Sequence, residues 1–214
     1  MRSIHSPSMC RLLTARFNQP TNPRRLLTAF ADMSQASKSL DGDWQGDGWG
    51  VAWLTKNGTW ETHHSLSPVW EDREAFERIP ETLRLVAHAR SASFPHQKGV
   101  LEFNQPYVFG PYAFAFNGLV KGVSLPAIPG RIGAEKIWHL LKQELEQHPP
   151  DTALQRLKEV LIANSREIAA LNIGIASADD THSLNHFSRF PDYYTLHTWE
   201  HETGKITCSE PLAL

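Results

Sequence analysis

Cys10 is the residue with the clearest potential for covalent chemistry, because it directly follows a methionine near the start of the chain. A thiol has a reference pKa of about 8.5 and needs a nearby base to attack an amide near neutral pH. A cysteine at the first position of a chain has such a base at short reach, because its own α-amine has a pKa of about 7.7 to 8.0. Cys10 reaches that position if translation begins at Met9 and the methionine is removed, or if residues 1–9 are cleaved as a propeptide. The alternative is a small buried apolar residue, the commoner role of a lone cysteine.

Three further strings stand out, and each also has a simpler structural interpretation. Asp-Gly in the first is a frequent turn pair, beside a tryptophan that could serve packing alone. His88 and Arg90 alternate along a predicted strand and share one face, where a surface ion pair is the usual explanation. Asn117-Gly118 could be a plain turn at the end of a strand. The strings are GDGWGVAW (46–53), AHARSAS (87–93), and NQPY followed by FNGLV (104–107 and 116–120).

Together with Met9-Cys10, and in this order, the strings resemble the class II glutamine amidotransferase family. The family's pattern runs from Met-Cys through a DGWG-type segment, a His-x-Arg strand and a turn ending in His/Gln-Pro to an Asn-Gly turn. Free-standing members also have a Ser-Glu-Pro-Leu string near the C-terminus, and residues 209–212 match it. The resemblance extends over almost the whole chain, from Met9 to Leu212.

The resemblance implies a fold, a reaction and a role for each site residue. The fold is an α+β four-layer αββα sandwich of the N-terminal nucleophile hydrolase type. Cys10 is the nucleophile that forms a thioester, and its freed amine is the general base. The Asn117 side chain and the Gly118 backbone N–H bind the oxyanion, Arg90 binds the carboxylate of the substrate, and His88 supports that substrate site. The reaction releases ammonia or an amine from glutamine or a γ-glutamyl compound.

Two departures from the family pattern bear on the substrate. Many members bind the amine of the substrate with an aspartate in a D-S/T-E segment, where this chain has Gly133, Ala134 and Glu135. Phe116 stands where a histidine is common. The choice between free glutamine and another γ-glutamyl amide therefore stays open. A chain that keeps its first nine residues would lack the terminal amine, so the alternative function is an inactive amidotransferase-like regulatory or scaffold protein.

The periodicity of apolar residues predicts the elements that position these groups. A helix is expected over 24–38, and strands on both sides of an Asn57-Gly58 turn. Strands, then helices, then strands along one chain favour an α+β domain, which we place at 10–214 after a leader, propeptide or mis-assigned start at 1–9. The remaining predictions are strands at 83–90, 111–120 and 172–178, helices at 134–147 and 151–171, and paired strands within 193–209 around Thr203-Gly204.

Composition limits the partners. The chain has 214 residues, of which 41% are hydrophobic, with 21 basic and 23 acidic side chains. Such a balance without a basic run gives no electrostatic case for nucleic acid, and no apolar run is long enough to span a membrane. We expect a cytoplasmic protein without cofactor that acts on a small molecule, with a possible ammonia-accepting synthase subunit as partner. Two histidine pairs spaced by four residues are not expected to bind metal: His182/His186 and His197/His201.

Overall fold

The computed structural model describes residues 9–37, 44–201 and 203–214, and the strands of this part of the chain form two antiparallel sheets. The first sheet contains, in spatial order, β3 (Trp60–Ser65), β2 (Trp49–Leu54), β4 (Thr82–Ala89), β1 (Arg11–Thr21), β10 (Gly204–Cys208) and β9 (His197–His201). The second contains β5 (Tyr107–Phe109), β6 (Tyr112–Val123), β7 (Ser165–Ala176) and β8 (Thr181–Phe187). The helices are α1 (Arg24–Gln35), α2 (Gly133–Leu145), α3 (Pro150–Asn164) and the single turn α4 (Pro191–Tyr194), with 3₁₀ turns at Arg73–Arg78, Pro95–Gln97 and Leu101–Phe103.

The two sheets pack face to face through small side chains. Alternate residues of a strand point to opposite faces, so every second residue of the central strands enters the layer between the sheets. The buried residues of this layer form an apolar cluster, to which each sheet contributes three side chains. They are Leu12, Ala52 and Val86, and Ala113, Ala115 and Ala176.

Helices cover the outer faces of both sheets. Leu27 and Phe30 of α1 pack on Leu13 and Ala15 of β1. On the second sheet, α2 and α3 pack on β6 and β7, and the rings of Phe114 and Trp138 stack with their centroids 4.7 Å apart. The layers therefore follow the order helix, sheet, sheet, helix, which confirms the predicted α+β four-layer sandwich.

The predicted helix over 151–171 is wrong in its last turns. The helix ends at Asn164, and β7 begins at Ser165 and pairs with β6 along its whole length. An irregularity in the pairing between Leu119 and Val120 places Ile168 opposite Val120. Ile168 thereby packs against the same apolar cluster as Leu161, on the outer face of the second sheet. The two residues therefore have the sequence spacing expected of one longer amphipathic helix.

Most other predicted elements are present with small shifts in their ends. Residue 38, the end of the first predicted helix, lies outside the described residues. Strand β8 was not predicted, although it forms an edge of the second sheet. The region 193–209 contains the two predicted strands, but its first residues, Tyr193 and Tyr194, belong to α4.

Candidate active site

Cys10 immediately precedes β1, a central strand of the first sheet. Its side chain is half-buried. The backbone N–H of Ser91 donates a hydrogen bond to Sγ at 3.3 Å, and Sγ lies 3.5 Å from the carbonyl oxygen of Ser91. Because Ser91 follows β4, the neighbouring strand, the pairing of β1 with β4 fixes the position of the sulfur.

Cys10 lines a cavity of about 520 Å³. Arg90 and Gly118, both predicted site residues, line the same cavity, as does Gln105. Arg90 directly follows β4, Gly118 comes from β6 and Gln105 comes from the turn before β5. The fold thus brings together four residues from distant parts of the chain.

Arg90 has a buried guanidinium group beside the nucleophile, since only 4% of the residue is exposed. Its Nη2 donates to the carbonyl oxygen of Gln97 at 2.7 Å, its Nη1 lies 3.5 Å from Oδ1 of Asn104, and the group lies 5.6 Å from the ring centroid of Phe103. These partners are all neutral, and Arg90 makes no ion pair within the described residues. Its charge is therefore available to an anionic ligand.

Asn117 and Gly118 lie in the middle of β6, not in a turn. Asn117 is 1% exposed, and the alternation of β6 places it on the face of Ala115, between the sheets. Its Oδ1 has no hydrogen-bond partner among the described residues, and the residue is not among those that line the cavity. Gly118 does line it, and a Cβ added there would stand 2.2 Å from the carbonyl oxygen of Ala170, so the close strand pairing requires glycine.

His88 lies behind the cavity wall and has no exposed surface. Burial, together with the charge of Arg90, lowers the pKa of His88 to about 3, so the imidazole is neutral at ordinary pH. The Gln105 amide nitrogen lies 3.3 Å from Nε2 of His88 and 3.2 Å from the carbonyl oxygen of Phe116, and Oε1 of Gln105 accepts from the Phe116 N–H at 2.7 Å. In this structure His88 therefore does not line the cavity itself and contacts Gln105, which does.

The C-terminal Ser-Glu-Pro-Leu string holds the segment that contains the nucleophile. Leu12 N–H donates to Oγ of Ser209 at 2.9 Å, and Ser209 N–H donates to the Leu12 carbonyl at 3.0 Å. Arg11, which is fully buried, forms an ion pair with Glu210 at 2.7 Å and donates to the carbonyl oxygen of Cys10 at 2.9 Å. The sequence pattern predicted no role for these residues, because the contacts join positions about 200 residues apart.

Met9 occupies a closed position next to Cys10. It is 1% exposed and packs with Ala170, Tyr193 and Tyr194. Its carbonyl oxygen accepts hydrogen bonds from Gln45 Nε2 at 3.1 Å and from Arg11 Nη1 at 3.3 Å. The peptide bond before the nucleophile is therefore held inside the fold.

Glu135, the acidic residue at the start of α2, does not line the cavity that contains Cys10. It forms an ion pair with Arg131 at 2.7 Å and lines a separate surface cavity of about 560 Å³ with His64 and His139. Although partial burial raises the pKa of Glu135, hydrogen bonds from Arg131 bring it below its usual value. Glu135 is thus an anion that already has a partner.

The described part of the chain contains neither a group of metal ligands nor a membrane-spanning helix. Within residues 9–37, 44–201 and 203–214, no three His, Cys, Asp or Glu side chains are grouped as metal ligands. His182 instead bonds Asp151 at 2.9 Å. None of the described helices is long and apolar enough to cross a membrane.

Comparison with known proteins identifies a family. The model of the class II glutamine amidotransferases matches residues 9–176. A glutamine aminotransferase class-II domain protein from Silicibacter pomeroyi is 16% identical with a TM-score of 0.60, over 94% of this chain and 89% of that one. Glutamine phosphoribosylpyrophosphate amidotransferase from B. subtilis is 15% identical with a TM-score of 0.63, over 94% of this chain and 42% of that one. These likenesses confirm the predicted N-terminal nucleophile hydrolase fold. A search of curated proteins returned no match.

Proposed function

Since this chain belongs to the class II glutamine amidotransferase family, we propose that it hydrolyses the side-chain amide of glutamine or of a γ-glutamyl compound through a thioester on Cys10. The observation that carries the proposal is the shared cavity of the Cys10 sulfur, the buried Arg90 guanidinium and Gly118. A nucleophile, a cation for a carboxylate and a backbone donor within one cavity are the parts that the reaction needs.

In the proposed mechanism, the free α-amine of Cys10 removes the thiol proton and the thiolate attacks the amide carbon. The oxyanion that forms accepts a hydrogen bond from the Gly118 N–H and, as the resemblance implies, one from Asn117, whose side chain must turn from its place between the sheets to reach the cavity. Each such bond is typically worth about 3 kcal/mol. The carbon–nitrogen bond then breaks, and the protonated amine of Cys10 returns the proton to the leaving nitrogen. Water, activated by the same amine, attacks the thioester and releases the acid.

Arg90 and Gln105 are proposed to orient the substrate. The guanidinium fork of Arg90 suits a carboxylate, because charge-assisted hydrogen bonds in that geometry are short and strong. Neutral His88 accepts a hydrogen bond from the Gln105 amide, so its proposed role is to hold Gln105 in place. An imidazole with a pKa of about 3 is a poor general base near pH 7.

The proposed reaction requires the loss of residues 1–9. While Met9 is attached, the nitrogen of Cys10 is an amide and cannot take a proton from the thiol. Translation from Met9 with removal of that methionine, or cleavage of a propeptide, would each expose the amine. The ammonia released would enter solution or pass to a separate synthase subunit.

The alternative is a regulatory or scaffold protein that keeps the fold without catalysis. One observation favours it: Met9 is buried and its carbonyl is hydrogen-bonded, so the fold accommodates an acylated Cys10. A thiol-directed diazoketone analogue of glutamine separates the two. We expect it to add one label at Cys10 in protein expressed from Met9 and none in the matched Cys10→Ser protein. Protein with a free Cys10 amine that takes up no label and releases no ammonia would support the scaffold role.

A further inference from the structure

The cavity beside Cys10 has an unbalanced charge. Arg90, Lys121 and Lys136 line it, and no carboxylate does so among the described residues. Lys121 is 3.4 Å from Glu167, which lies outside the cavity, and Lys136 makes no ion pair within the described part of the chain. The lining therefore favours an anion, and its described residues offer no carboxylate to an ammonium group.

Part of the cavity lining, which we call the apolar limb, belongs to the cluster between the second sheet and its helices. The side chains of this limb come from β6, from the first two turns of α2 and from α3. They include residues that are almost fully buried, among them Leu161 and Ile137. A cavity of about 520 Å³ is in the size range that encloses a drug-sized ligand, so a free amino acid leaves part of it empty. The limb is formed by Phe116, Val120, Ala134, Ile137, Leu140 and Leu161.

The start of α2 is an unfavourable place for the ammonium group of an amino acid. Gly133 is the first residue of α2 and lines the cavity, and the N-terminus of a helix carries a partial positive charge. The nearby Glu135 is bonded to Arg131 and lines the other cavity. An ammonium that loses its water here without a carboxylate partner carries a large desolvation cost.

We propose that this cavity binds a glutamine whose α-amine carries an apolar acyl group. The substrate carboxylate pairs with Arg90, the γ-amide reaches the Cys10 sulfur, and the acyl chain fills the apolar limb. Acylation removes the ammonium charge that the lining cannot match. This inference rests on the proposed amide hydrolysis: water splits the side-chain Cδ–Nε2 bond to give N-acyl-glutamate and ammonium, and the acyl bond stays intact.

Substrate comparison tests the proposal on protein expressed from Met9, with a free Cys10 amine verified by intact mass. Ammonia release is measured from L-glutamine, N-octanoyl-L-glutamine and octanamide. We expect kcat/KM for N-octanoyl-L-glutamine to exceed that for L-glutamine at least tenfold, and octanamide, which lacks the carboxylate, to react at least tenfold more slowly than N-octanoyl-L-glutamine. An equal or higher kcat/KM for L-glutamine would overturn the proposal.

Substitution at Gly133 can supply the carboxylate that the substrate ammonium lacks, and it allows a matched control. A Cβ at Gly133 meets no atom within 4 Å, so a longer side chain fits without strain. Gly133→Asp should raise kcat/KM for L-glutamine about tenfold, because a carboxylate then faces the ammonium, while the isosteric Gly133→Asn should not. If both variants leave the preference between the two glutamines unchanged, the charge argument is wrong.

Binding separates this inference from the proposed reaction. Calorimetry on Cys10→Ser protein, which has the same cavity, should give at least tenfold tighter binding of N-octanoyl-L-glutamine than of L-glutamine. If this binding preference is found but the parent protein releases no ammonia, the proposed hydrolysis is refuted and the binding of N-acylated glutamine in the cavity is supported. If the parent protein releases ammonia but Cys10→Ser protein binds L-glutamine more tightly, the proposed hydrolysis is supported and the preference for N-acylated glutamine is refuted.

Discussion

Arg90→Lys tests whether the guanidinium group binds the carboxylate of the substrate. The substitution keeps the positive charge beside Cys10 but removes the planar fork, so one of the two charge-assisted hydrogen bonds to a carboxylate is lost. Such a bond contributes about 1.5 to 3 kcal/mol, and about 1.4 kcal/mol corresponds to a factor of ten. We therefore expect an increase in KM of about 10-fold to 150-fold.

The effect should fall on KM and leave kcat nearly unchanged. The carboxylate lies away from the reacting bond, so its contact with Arg90 is the same in the ground state and the transition state. The assay is ammonia release at varied substrate concentration, on protein whose N-terminal residue has been identified by mass. An Arg90→Lys enzyme with unchanged KM, or one in which only kcat falls, would refute the assigned role.

Arg84→Lys is the matched control for lost packing. Arg84 lies on the same strand as His88, is 8% exposed and donates to the carbonyl oxygens of Phe17 and Asp179, but does not line the cavity. Its replacement removes buried hydrogen bonds without removing a substrate contact. Thermal melting of both variants then separates destabilisation from lost binding, and an equal KM increase in Arg84→Lys would count against the reasoning.

Three further predictions concern the other site residues. Asn117→Ala should lower kcat about a hundredfold or more, as expected for loss of one oxyanion donor, with the melting temperature little changed; initial rates within tenfold of the parent would contradict this. Cys10→Ser in protein expressed from Met9 should retain binding in calorimetry but lose most turnover, because a hydroxyl is the weaker nucleophile; full turnover would exclude the thioester. The pKa of His88 is about 3 in the folded chain against 6.5 when unperturbed, so the unfolded chain binds the extra proton as pH falls below 6.5 and stability is lost down to pH 3. Urea unfolding should show that the parent loses about 2 kcal/mol more than His88→Gln between pH 7 and pH 5, and equal losses would rule out the buried neutral imidazole.

The sequence predicted strands and turns because their residue patterns report local geometry, whereas the four-layer sandwich was implied by the resemblance to the family. Alternation along β4 predicted that His88 and Arg90 share a face, and both residues are on the side of β4 that faces the second sheet. The Asn57-Gly58 pair predicted the hairpin between β2 and β3. Each of these inferences needs only neighbours in the chain, since backbone periodicity and turn geometry are local properties.

Other contacts between distant segments could not be predicted from the sequence. The role of Glu210 depends on the ion pair with Arg11, which exists only after β10 pairs with β1. The helix predicted to reach residue 171 failed because pairing with β6 overrode the local apolar spacing around Ile168. The apolar limb of the cavity was also unforeseen, since Phe116 and Leu161 meet only when α3 packs on the second sheet.

Catalysis by the α-amine of Cys10 is tested most directly by relating activity to the N-terminal residue of the protein. Samples of the full chain and of protein expressed from Met9 would be analysed by intact mass for the fraction of molecules that begin at Cys10, and ammonia release would be measured on the same samples. The rate should be proportional to that fraction and fall to the background level when every molecule retains Met9, because an acylated nitrogen cannot accept the thiol proton. Equal activity in molecules that retain residues 1–9 would contradict the terminal-amine mechanism.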